Sequence, residues 1–143
     1  MSHESYRGVY TASRVFAAMI IAISGGLTWI GMEVLLGFEA PLELQSMVRL
    51  TTAGAFAGGW LFSPLFGRPG TVGACLTCLG ALMATGIGAF LVGTALEGPD
   101  DAVFAAILVY AALVANPAIG GTWLAMMLLA NAAAGDVRPE SSG

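Results

Sequence analysis

Three sets of residues in this chain have the types and spacing to do chemistry. Cys75 and Cys78 form a C-x-x-C pair at the start of an apolar stretch. On a helix, i and i+3 share a face, and a helix start favours a thiolate, so the pair reads as a weak redox dithiol. A relay of electrons through a membrane needs a second cysteine pair, and the chain has Cys 2 in total. Two thiolates also fall short of four metal ligands, so no metal site is expected. The plainer reading is two small residues on a tight helix face.

Glu33 is the carboxylate that lies clearly inside an apolar run. An ionisable group there is costly unless it is paired or near the interface. Arg49 opens the next run on the same side, so Glu33 and Arg49 are a candidate ion pair. Asn116-Pro117 sits mid-run in the last apolar stretch. Pro117 has no N–H, so the carbonyl of Leu113 loses its helical partner. Counting inward along the other runs brings Ser24, Thr28 and Thr85 to the same depth. A broken helix with converging polar groups at mid-membrane is how transporters build substrate sites. Asn116, Pro117, Ser24, Thr28 and Thr85 are therefore a candidate midplane polar site.

Other chemistries are excluded by what is missing. His3 is the single histidine and lies in the tail, so haem ligation from within the runs and a Ser-His or Cys-His dyad are ruled out. There is no Walker A sequence, and no basic stripe that would neutralise nucleic-acid phosphates. No cofactor and no nucleic-acid partner are expected.

The elements that position these residues follow from charge spacing. No charged residue falls between Arg14 and Glu33, Arg49 and Arg68, Arg68 and Glu97, or Asp101 and Asp136. About 18 apolar residues in a helix cross the hydrocarbon core of a bilayer. Hydrophobic residues are 57% and charged residues 10% of the chain, which is membrane composition. The expected fold is all-α, a four-transmembrane-helix up-down bundle forming one membrane domain. Its helices run over 13–37, 42–66, 71–96 and 102–134. The first reads as a membrane helix and not as a cleaved leader, because it is too long. Thr11 or Ser13 would cap the first helix, Pro41 would suit the first turn of the second, and Gly135 would close the fourth. Gly67-Arg68-Pro69-Gly70 predicts a tight turn between the second and third. The fourth run is too long for an upright span, so a single helix kinked at Asn116-Pro117 is expected, with a re-entrant pair as the lesser alternative.

Small residues mark where the helices meet. Gly54 and Gly58 form a GxxxG, and Gly73, Gly80 and Gly88 line a stripe on the third helix. Such faces let backbones approach closely in lipid. Trp29, Trp60 and Trp123 each follow a glycine pair, which would let an indole lie over bare backbone or line a pocket for a lipid or quinone-like ring. All five cationic side chains are arginine, and an up-down bundle puts Arg7, Arg14, Arg68 and Arg138 on one side against Arg49 on the other. The positive-inside rule then places both termini in the cytoplasm of a prokaryotic inner membrane.

Two function classes follow. One is a non-catalytic membrane subunit or assembly protein, whose small-residue faces contact lipid, a second copy or other membrane subunits. The other is a small oligomeric transporter or channel built on the midplane site. A membrane dithiol redox protein is a distant third.

Overall fold

The computed structural model describes residues 3–39 and 42–136. Five helices make up the fold, and the described residues contain no strand. They are α1 (His3–Leu36), α2 (Leu44–Phe62), α3 (Gly70–Leu96), α4 (Ala102–Ala115) and α5 (Pro117–Asp136), with a 3-10 turn at Ser63–Leu65. Pro41 and Arg138 lie outside the described residues.

Three helices are long and apolar enough to cross a membrane, over Thr11–Leu36, Gly70–Leu96 and Pro117–Gly135. α2 is less apolar because it carries Gln45, Ser46, Arg49, Thr51 and Thr52. It sits between α1 and α3 and packs against both. Thr51 returns its hydroxyl to its own helix, donating to the carbonyls of Met47 at 2.9 Å and Val48 at 3.1 Å. A hydroxyl satisfied in this way is tolerated among apolar neighbours.

The packing order closes the bundle: α2 on α1 and α3, α4 on α3, and α5 back on α1. At one pole the Ser13 hydroxyl donates to the Ala134 carbonyl at 3.1 Å, and the Gly67 N–H donates to Asn131 Oδ1 at 2.7 Å. The start of α1, the α2–α3 turn and the end of α5 therefore share that pole. The turn is the one the sequence predicts: Gly67 (φ 71°) and Gly70 (φ 77°) adopt the left-handed region that glycine tolerates.

Several boundaries differ from the sequence expectation. α1 begins at His3, so Thr11 and Ser13 are interior to it, and Ser13 serves as a bridge to α5 instead of a cap. α2 ends at Phe62, because Pro64 fits the first turn of a 3-10 helix but not the interior of an α-helix. α5 runs through Gly135 to Asp136.

The largest difference is in the fourth run. It is two helices instead of one kinked helix. Asn116 between them is extended, at φ −122° and ψ 110°. Its Oδ1 accepts from the N–H of Ala118 at 3.0 Å and from that of Ile119 at 3.4 Å, which caps the start of α5. Gly120 lies directly on the Leu113 carbonyl, with no room for a Cβ. A continuous helix keeps those two residues two turns apart. Asparagine thus supplies the new helix start, proline its first position, and glycine the close approach.

Candidate functional site

α1 and α3 barely touch, and the space between them is a cavity of about 330 Å³. Its origin is legible in residue size. Gly25, Ala55, Gly88, Ala89, Gly93 and Ala105 line it, and none of them fills the gap. Phe104 and Leu108 of α4 and Met127 of α5 complete an apolar wall.

The polar part of the wall is small. Ser24, Thr28 and Trp29 come from α1, Thr51 from α2, Thr85 and Glu97 from α3, and Trp123 from α5. Trp123 Nε1 donates to Thr85 Oγ1 at 2.9 Å, which satisfies the indole. Trp29 stands edge-on to Phe38, with ring centroids 6.3 Å apart and planes at 77°. Ser24 is 2% exposed and Thr28 9%. Ser24 Oγ and Trp29 Nε1 are buried and have no hydrogen-bond partner among the described residues. Buried polar atoms are rarely left so, because an unmet donor costs about 1–3 kcal/mol.

Among the residues that line the cavity, Glu97 and Phe104 are exposed. Ile21 and Met127, also in its wall, belong to a packed cluster with Ala17, Phe66, Ala81 and Ala130. Phe66 in that cluster is 0% exposed.

Of the residues singled out in the sequence, Ser24, Thr28 and Thr85 meet in this wall. Asn116 and Pro117 do not line it; Asn116 is engaged as the α5 cap. Glu33 is half-buried, its Oε2 is unpartnered, and no salt bridge joins it to the exposed Arg49. Cys75 and Cys78 are both free thiols on the outer surface of α3. The five glycines are used within the chain. A Cβ on Gly54 would lie 2.8 Å from the Gly88 carbonyl, and Gly88 faces the Gly54 carbonyl in return. Gly58 meets the Ala84 carbonyl, Gly73 the Arg68 carbonyl, and Gly80 the side chains of Leu65 and Phe66. The glycine pairs before Trp29 and Trp60 are likewise covered by neighbouring helices and not by those indoles.

Some contacts escaped the sequence reading. Asn131 Oδ1 accepts from the Thr77 hydroxyl at 2.7 Å as well as from Gly67. Arg14 lies over the Trp60 ring at 4.6 Å, and its guanidinium donates to Ser63 Oγ and the Trp60 carbonyl, each at 3.1 Å. The available signals were an amide in a long apolar run and an arginine beside one. Neither signal names its partner.

The chain matches no protein-family model, no curated protein and no solved structure.

Proposed function

We propose that this chain is a four-pass, non-catalytic membrane protein that holds a small apolar molecule inside its bundle. The observation that carries the reading is the mainly apolar cavity between α1 and α3. Ligand sites are commonly of this kind, about 300–1,000 Å³, apolar, and fixed by a few polar groups. α1, α2 and α3 supply three passes in this reading, and α4 with α5 the fourth. Both termini are cytoplasmic, since Arg14 and Arg68 share a pole and the acidic turns share the other.

The cavity separates the function classes. A conducting channel is not supported, because Phe66, Ile21 and Met127 pack one end shut. Carriage of a bound molecule is compatible with a pocket whose wall includes that cluster. The assembly reading loses its main support, because the small-residue faces are spent within the chain. Lipid covers the exposed apolar stripe of Phe16, Ile23, Leu27, Ile30 and Val34 as well as a partner would.

The test is native mass spectrometry of the chain purified from its own membranes in mild detergent. A small apolar molecule should stay bound to the wild-type chain. It should be lost from Ala89→Trp, which puts an indole into the cavity. Release of a stoichiometric protein partner and no small molecule would return the assembly reading to first place.

A further inference from the structure

α1 and α3 stand apart, and α4 bridges them. At its start, Ala102 and Ala105 press on Gly93 of α3, where a Cβ would stand 2.7 Å from the Ala105 Cβ and 2.9 Å from the Ala102 Cα. Toward its end, Val109 and Leu113 pack on the buried cluster that Ala112 and Ile119 form with Met32 of α1. Between these anchors, Phe104, Ala105, Leu108 and Val109 line the cavity. Val103 and Ile107 face outward, exposed on the protein surface. α4 is thus a wall one helix thick.

Both ends of α4 are points where the chain can bend. Gly98 before it has φ 99°, and Asn116 after it is extended. Pro117 then has no N–H to give the Leu113 carbonyl. Hinges are a few such positions at the ends of elements. What holds α4 in place is mostly non-directional, because its side chains are apolar except for Tyr110. The Tyr110 hydroxyl donates to the Leu82 carbonyl of α3. Bare Gly86 makes room for it, since a Cβ there would stand 2.6 Å from the phenol oxygen. That hydrogen bond is the one directional tie from a side chain of α4 to the rest of the bundle.

Resting on the proposed function, we propose that α4 is a hinged lid on the cavity, latched shut by Tyr110, and that the bound molecule enters and leaves when the latch opens. Tyr110 is not in the cavity wall, so it sets the rate of passage and not the affinity.

The motion is tested first without a ligand, in lipid nanodiscs and in a chain carrying Cys75→Ser and Cys78→Ser. Ala112→Cys puts a thiol on the inner face of α4, at a position 5% exposed, and Ile107→Cys puts one on its outer face. Tyr110→Phe should speed N-ethylmaleimide labelling of Ala112→Cys about fivefold, the scale of one lost hydrogen bond, and leave Ile107→Cys unchanged. Gly86→Ala crowds the hydroxyl off its acceptor and should do the same, so either variant alone tests the lid. No change at Ala112→Cys, or an equal gain at both positions, overturns it. Passage is then followed by stopped flow with 1-bromonaphthalene, which quenches Trp29 and Trp123 in the wall. Tyr110→Phe should raise its entry and exit rates together, about fivefold, and leave its affinity unchanged. Unchanged rates beside faster labelling overturn α4 as the route, and a fall in affinity alone overturns Tyr110 as the latch. Absence of saturable quenching in the wild-type chain overturns the cavity reading, while the labelling still decides the lid.

Discussion

Replacing Gly58 with alanine sets a methyl group against the Ala84 carbonyl, where neither backbone can yield cheaply. In a packed seam this costs about 1–3 kcal/mol. Gly58→Ala should therefore lower the unfolding midpoint in mild detergent, whereas Gly121→Ala, at a position with open space around it, should not. Equal midpoints for the two variants would mean that α2 and α3 are not in backbone contact. Asn131 makes a second test. Asn131→Leu strips the acceptor from the Gly67 N–H and costs about 1–3 kcal/mol of stability. Ala132→Leu, next door and exposed, serves as the control, and a loss as large there would dissociate the effect from the hydrogen bond. At this scale the sequence was read well where residue type alone decides. Gly54, Gly58, Gly73 and Gly88 pack against backbone, and Gly80 against the side chains of Leu65 and Phe66. It was read poorly where the partner matters: Glu33 and Arg49 are near in sequence but unjoined, while Thr77 and Asn131 are far apart and bonded.

The break between α4 and α5 decides where α5 starts, and so where Trp123 and Met127 meet the cavity. A Cβ on Gly31 would stand 3.9 Å from the Cβ of Ile119. That separation suits a disulfide. In a chain with Cys75→Ser and Cys78→Ser, the pair Gly31→Cys and Ile119→Cys should crosslink under mild oxidation. Adding Gly120→Val should abolish the crosslink, because its side chain collides with the Leu113 carbonyl and forces the bend open. A crosslink that survives Gly120→Val would show that the close approach is not what holds α5 against α1. The first three helices and the turn between the second and third follow from charge-free runs and Gly-Pro punctuation, but the number of helices does not, since the fourth run holds two. The depth of the break does not, because Asn116-Pro117 allows both a kink and a full restart. Only the bare glycine three residues after Pro117 favours the restart. The cavity was half legible for the same reason: Ser24, Thr28 and Thr85 follow from counting depth. The small residues that create the space become a cavity only once α1 and α3 are seen to stand apart.

For the molecule as a whole, sidedness is the property on which carriage of a ligand depends, since the exposed residues of the cavity wall, Glu97 and Phe104, belong to one pole. Ser13 bonded to Ala134 and Gly67 bonded to Asn131 tie three chain segments to the opposite pole, where Arg14 and Arg68 lie. Glu97, Asp100 and Asp101 lie exposed in the α3–α4 turn, at the other pole. The proposed orientation keeps arginine on the cytoplasmic side, which predicts that Glu97 and Phe104 face outward and the cluster of Ile21, Phe66 and Met127 inward. The prediction is tested in intact cells with a membrane-impermeant maleimide, again in a Cys75→Ser and Cys78→Ser background. Asp100→Cys should label from outside. Arg68→Cys should label only after the membrane is opened, as both positions are exposed on the protein surface. The reverse pattern would invert the molecule and make the cavity open to the cytoplasm. Labelling of both from the same side would end the four-pass reading, because α3 would then not cross the bilayer. In the predicted orientation a ligand enters from the outer leaflet or the outer interface, past Phe104. Its release inward requires the seal of Ile21, Phe66 and Met127 to open, which makes that cluster the place where a carrier must move.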